Sequence, residues 1–143
     1  MKVGGRGVDL IKGFEGLRLE AYLCPAGVLT IGYGHAGPDV EAGQRITSAQ
    51  AEALLRQDKA WFEAGVSKAL TREATQNQFD AMVSLAYNIG LGAFKKSTVL
   101  KRFNEGRFND AALAFMMWTK AGGKQWPGLL RRRADELGLF RRA

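Results

Sequence analysis

Apolar and polar positions alternate along the chain in two different periods. At residues 7–14, Val8, Ile11 and Phe14 recur at helical spacing with Leu10 beside them, which predicts a short amphipathic helix with one buried face. Residues 17–23, Leu-Arg-Leu-Glu-Ala-Tyr-Leu, alternate at first and then turn apolar. Cys24-Pro25-Ala26-Gly27 has the composition of a turn, and residues 28–33, Val-Leu-Thr-Ile-Gly-Tyr, form a β-branched and aromatic return. Together they predict a β-hairpin. Gly32, Gly34 and Gly37 interrupt the pattern beyond it, so residues 34–46 are expected to be loop.

From Thr47 the period becomes helical. Thr47 with Gln50 fits a capping box. Leu54, Leu55, Asp58, Trp61, Phe62, Gly65, Val66 and Ala69 then mark one face of a helix of about twenty residues, roughly 30 Å long. Thr75 with Gln78 repeats the capping signature. Phe79, Met82, Val83, Ala86 and Tyr87 form the next buried stripe, which ends near Gly90 and Gly92. Shorter helices are expected over 98–104 and 109–118, and Pro127 suits the first position of a last helix ending around Gly138. The expected architecture is α+β in a single domain over residues 1–143. A small N-terminal β-hairpin lobe is joined by the long helix to a larger helical lobe.

Composition narrows the class. The chain has 143 residues, 46% apolar and 24% charged, which is ordinary globular usage and excludes a disordered tail or a membrane protein. One cysteine, Cys24, and one histidine, His35, leave no intramolecular disulfide and no Cys/His metal site, and no cofactor is expected. The N-terminal residues carry no apolar run, so neither a signal peptide nor an anchor is expected. The net charge of +7 is unevenly placed: residues 1–94 hold nine Lys/Arg and ten Asp/Glu, whereas residues 95–143 hold twelve and four. A basic final third suits a polyanionic partner, whether nucleic acid, an anionic membrane or an acidic envelope polymer.

Glu15 is the first candidate for chemistry. It falls at the end of the first predicted helix, where the negative end of the helix dipole disfavours a charged carboxylate. The hairpin turn begins nine residues later, and its second strand presents Thr30. Glycoside hydrolysis needs a protonated carboxylic acid on one side of the bond and a second group that activates water or attacks the sugar. Glu15 suits the acid. On local sequence alone, a solvated glutamate at a helix end is the favoured reading.

Several segments resemble the phage-type lysozymes, glycoside hydrolase family 24. They are Phe14-Glu15-Gly16-Leu17-Arg18-Leu19, Gly27-Val28-Leu29-Thr30-Ile31-Gly32-Tyr33-Gly34-His35, the helix from Gln78 to Gly90, the run from Gly92 to Leu100, and the tail from Trp118 through Arg131-Arg132-Arg133. The resemblance covers nearly the whole chain and implies a lysozyme-like fold. It also implies a catalytic set made of a Glu at the end of the first helix, an Asp nine residues later and a Thr fifteen residues later. Those offsets land on Glu15, Cys24 and Thr30, so the Asp is replaced by cysteine.

Three readings of Cys24 stay open: a thiolate taking the Asp role as nucleophile or base, an oxidised sulfinic acid mimicking the carboxylate, or inert packing. Arg18 would favour the thiolate and Glu15 would oppose it. Thr30 would hold the attacking water. His35 is a candidate for sugar binding or for a structural hydrogen bond at the hinge. The resemblance places Tyr87, Asn88 and Ser97 along the sugar cleft, and one guanidinium of Arg131–Arg133 beside Glu15.

The function implied is a peptidoglycan hydrolase that cleaves the β-1,4 bond between N-acetylmuramic acid and N-acetylglucosamine during host lysis by a phage. Such an enzyme is expected to be a monomer, to wait in the host cytoplasm, and to depend on a holin for access to the wall. The basic C-terminal region would then contact the anionic envelope. Three rivals remain: a nucleic-acid-binding helical module, which the absence of a basic recognition helix disfavours, a membrane-active basic protein, and a weakened lysozyme relative lacking the usual Asp.

Overall fold

A computed structural model describes residues 1–142. Helix α1 (Gly5–Glu15) begins two residues earlier than its apolar pattern suggests, with no side-chain cap on Gly4. It ends on Glu15 because Gly16 adopts a positive φ of 69° and closes the last turn onto the Lys12 carbonyl. Strands β1 (Arg18–Leu23) and β2 (Leu29–Gly32) form the expected antiparallel hairpin, with Tyr22 opposite Thr30 and Leu23 opposite Leu29.

The segment expected to be loop contains a third strand, β3 (His35–Ala36), which pairs Ala36 with Thr30 and His35 with Ile31. A two-residue strand has no periodicity to detect. Gly32 and Gly34, at φ 68° and 76°, make the tight turn into it. The chain then returns along the other edge of β1, where Ala21 N–H donates to the Gln44 carbonyl and Ile46 N–H to the Leu19 carbonyl, both at 2.9 Å.

Helix α2 (Ser48–Ala69) starts on the Thr47–Gln50 capping box, with both reciprocal bonds present. Its buried stripe differs from expectation. Ala51, Leu55 and Val66 are buried, but Trp61 is 61% exposed. The buried position beside it is Glu63, whose carboxylate accepts the Val3 N–H at 2.5 Å. Helix α3 (Gln76–Ile89) begins on the second capping box and is buried continuously from Asn77 to Tyr87, because α1, α2 and α7 all pack on it.

Helix α4 (Leu91–Lys95) is a short turn that the sequence does not announce. Helix α5 (Thr98–Asn104) matches expectation, and α6 (Phe108–Ala114) passes into a 3-10 turn at Phe115–Met117. A further small hairpin, β4 (Lys120–Ala121) and β5 (Lys124–Gln125), precedes α7 (Pro127–Arg141). Pro127 opens α7 as expected, but the helix runs three residues past Gly138, burying Leu139 and Phe140. Phe140 packs on Phe115 at 5.4 Å and on Phe103 at 6.3 Å between ring centroids. No helix among the described residues is long and apolar enough to cross a membrane.

Candidate active site

Three elements meet around Glu15. Helix α1 delivers the carboxylate at its last residue. Helix α7 brings Arg132, 3% exposed, whose Nη1 donates to Glu15 Oε2 at 2.5 Å. The β2–β3 turn brings Gly34 so close that a Cβ there would lie 2.5 Å from Glu15 Oε1. That turn is itself held by Tyr87 of α3, whose hydroxyl donates to the Tyr33 carbonyl at 2.6 Å. The guanidinium adds a positive charge at the C-terminal end of α1, where Lys12 of the last turn is already engaged by Glu52.

Behind Arg132 lies a buried polar cluster. Arg132 Nε donates to Glu136 Oε2 at 3.1 Å, and its Nη2 donates to the Ser84 carbonyl at 3.0 Å. The Ser84 hydroxyl donates to Glu136 Oε2 at 2.5 Å. Arg133 closes the far side, with Nη2 donating to Glu136 Oε2 at 3.2 Å and Nε forming an ion pair with Oε1 at 2.7 Å. The arginine run thus places a guanidinium beside Glu15, and Arg132 is the one that does so. Ser84 and Glu136 carry no signal in the sequence. Ser84 sits inside an apolar stripe, and Glu136 looks like an ordinary charged position on a polar helix.

The hairpin supplies the second half of the site. Cys24 opens the turn after β1, its N–H donating to the Val28 carbonyl at 3.0 Å and its carbonyl accepting the Gly27 N–H at 2.8 Å. Burial pushes the thiol up, but hydrogen bonds from the Val28 and Ala26 backbone N–H groups and the Thr30 hydroxyl outweigh it and hold it below its ordinary value. Thr30, buried on β2, donates its hydroxyl to the Val28 carbonyl at 3.0 Å. The groups that lead the lowering of the thiol lie in its own turn and on β2, and the Arg18 guanidinium stacks on the Tyr22 ring at 4.3 Å. Tyr22, absent from the sequence-based candidates, lies within electrostatic reach of both Glu15 and Cys24. Burial first, then those two groups, push its phenol up against the pull of Arg18.

The residues expected along a sugar-binding surface are placed differently from one another. Asn88 is exposed in the last turn of α3. Ser97 is buried as the N-cap of α5, donating to the Phe94 carbonyl at 2.7 Å and accepting the Leu100 N–H at 3.2 Å, so its hydroxyl is consumed. Tyr87 is buried with its ring on Phe62 and its hydroxyl on Tyr33, which leaves it a support for the turn. His35 lies between two carboxylates, Nδ1 to Asp58 at 2.7 Å and Nε2 to Asp39 at 3.0 Å, with neither ring nitrogen left for a ligand. Through Asp58 it ties β3 to α2.

A groove of about 620 Å³ between α1 and α7, lined by Leu10, Phe14 and Leu139 among others, contains none of the candidate catalytic residues. The groove follows α1 as far as Phe14, one residue short of Glu15, and the Phe14 ring lies 5.9 Å from the Arg132 guanidinium. Among the described residues, no cluster of His, Cys, Asp and Glu is arranged to hold a metal ion.

The chain resembles known proteins over almost its whole length. It is 53% identical over 142 residues to an endolysin of Bacillus phage PZA, covering 98% of this chain and 55% of that protein. It spans about half the length of the Bacillus phage endolysins it matches. It is 46% identical to the endolysin of Acyrthosiphon pisum secondary endosymbiont phage 1, with 100% of both chains covered. The muramidase domain of SpmX from Asticcacaulis excentricus superposes with a TM-score of 0.89 at 44% identity, covering 99% of each chain. The lysozyme-like α+β architecture is shared with these structures, and the phage lysozyme family model matches residues 12–136. With its Glu-bearing first helix and three-stranded sheet set against a helical lobe, the chain belongs to the phage lysozyme family.

Proposed function

We propose that the chain is a muramidase, a glycoside hydrolase that cleaves the β-1,4 bond between N-acetylmuramic acid and N-acetylglucosamine in bacterial peptidoglycan. The observation that carries this reading is the Glu15 carboxyl group held by the buried guanidinium of Arg132, with Cys24, a thiol held below its ordinary value, on the adjoining hairpin. Glu15 donates its proton to the glycosidic oxygen as that bond breaks. Cys24, as thiolate, takes a proton from a water positioned by Thr30, and the hydroxide oxygen bonds to the anomeric carbon. Glu15 ends as carboxylate and Cys24 as thiol, and exchange with solvent resets both. A base acting through water gives an inverted anomer; a thiolate attacking the sugar directly gives retention after hydrolysis of the thioglycoside.

The setting comes from the family. We read residues 1–143 as one catalytic domain that acts as a monomer. It reaches the wall after a holin opens the membrane, with the basic final third drawn to the anionic envelope. Muropeptide analysis of purified wall decides the activity. Wild type should release reducing N-acetylmuramic acid ends, and Glu15→Gln should lose at least about 10²-fold in rate. Undiminished wall cleavage by Glu15→Gln would sink the reading. Undiminished killing without wall cleavage would favour a membrane mechanism.

A further inference from the structure

Glu136 has no access to solvent, yet it organises Arg132, the side chain that holds the Glu15 carboxylate. It sits between two guanidinium groups, and Ser84 supplies a third donor. Arginine stays charged at any accessible pH. The buried cluster therefore contains two fixed positive charges, Arg132 and Arg133, and two carboxyl groups, Glu15 and Glu136. Only Glu15 opens toward solvent. Burial pushes Glu136 up, against the pull of both guanidinium groups and the Ser84 hydroxyl. If Glu136 carried a proton, two guanidinium charges would face one carboxylate in a dry interior, so charge balance favours the ionised form.

We propose that Glu136 is a positioning residue that governs the proton of Glu15 through Arg132. It draws one edge of that guanidinium away from the catalytic carboxyl and cancels the charge of Arg133. This rests on the general-acid role of Glu15. Without the Glu136 charge, Glu15 would face two uncompensated cations and would give up its proton at lower pH. An acid that must stay protonated to work would then lose the alkaline part of its range. The other groups facing Glu15 do not account for opposed shifts, since the Cys24 thiolate on the hairpin is common to wild type and all three variants below. Tyr22 on β1 and Tyr87 on α3 are both pushed upward and so remain neutral, and Asp58 on α2 reaches the cluster only across Tyr87 and is already engaged by His35.

Three variants test this by sign: Glu136→Gln, Arg133→Met and the double variant. Wall-cleavage kcat/KM is followed against pH at constant ionic strength, beside a carbon-13 NMR titration of the Glu15 carboxyl. Glu136→Gln should shift the alkaline limb and the Glu15 titration downward by about one pH unit. Arg133→Met should shift both upward by a similar amount, and the double variant should return both to the wild-type position.

A merely structural role predicts lower stability without these opposed shifts. Limbs that stay in place, or that move the same way in both single variants, overturn the proposal. If Glu136→Gln does not fold, Arg133→Met and the double variant still decide it. The NMR titration separates the two readings. If Glu15→Gln keeps full activity, the general-acid role fails, while opposed shifts of the Glu15 carboxyl would still support Glu136 as their cause.

Discussion

Arg132 Nη1 meets Glu15 Oε2 at 2.5 Å across 117 positions of sequence. The same guanidinium reaches Glu136 and Ser84 through its other nitrogens, so its planar fork is used on three sides. Arg132→Lys keeps the charge and loses that geometry. It should lower wall-cleavage kcat by at least about tenfold and stability by about 2–4 kcal/mol, since it leaves a buried carboxylate under-satisfied. Urea denaturation and muropeptide release measure the two effects.

Gly34 combines a positive φ with close approach to the Glu15 carboxyl. Gly34→Ala should destabilise by about 1–2 kcal/mol. Unlike an alanine in a remote turn, it should also depress kcat by displacing Glu15. Intact kcat with lower stability would separate the turn from the chemistry.

The Cys24 thiol, lowered by the donors of its turn, should react with iodoacetamide at a pH below that of an ordinary cysteine. Thr30→Val removes one donor and should move the alkylation midpoint upward. Cys24→Asp should keep substantial wall cleavage, and Cys24→Ser should lose on the order of 10²-fold, because a serine hydroxyl does not ionise in this range. A fully active Cys24→Ser would leave the sulfur without a catalytic role.

His35 carries a pH signature of its own. Burial pushes its pKa down, but the bonds to Asp58 and Asp39 overcome this and hold it above the ordinary value of 6.5. A group raised on folding contributes stability that is complete below its unfolded pKa and is lost as pH rises through the folded one. On the acid side Asp39, lowered mainly by His35, loses its contribution as pH falls through its folded value. Thermal stability should therefore peak in the weakly acidic range and decline above pH 6.5, and His35→Asn should flatten the alkaline decline. A wild-type Tm that rises from neutral to alkaline pH would contradict this assignment.

Ser97→Ala should cost about 1 kcal/mol, the usual loss for an N-cap, with KM and kcat unchanged. A raised KM at full stability would return Ser97 to the sugar-binding surface.

Much of this molecule is legible in its sequence. Both capping boxes start α2 and α3 where Thr47 and Thr75 say they should, because that signal is local and reciprocal. The hairpin is equally plain from alternation around a turn. Strands β3, β4 and β5 are two residues each and exist only through their partners, so no period announces them. Periodicity also fails where a polar side chain is buried by a distant bond: Glu63 displaces Trp61 from the inner face of α2 because it meets the Val3 amide 60 positions away. The same limit hides Ser84 and Glu136, whose contact spans 52 positions. Glu15, Cys24 and Thr30 stand out through a family pattern of offsets. That pattern is silent on the Arg132 guanidinium, which meets Glu15 from 117 positions away.

Helix α3 is enclosed from Asn77 to Tyr87, whereas Leu17, Leu19, Leu23 and Val28 leave the hairpin open to water. Amide hydrogen exchange should consequently divide the molecule. The α3 amides should exchange only through global unfolding, and those of β1 and β2 through smaller local openings. The candidate site straddles that boundary. Its acid is anchored in the slow-exchanging half, and its sulfur in a ribbon that opens while the rest stays folded. The distance between the two reacting groups is therefore the most changeable dimension of the site.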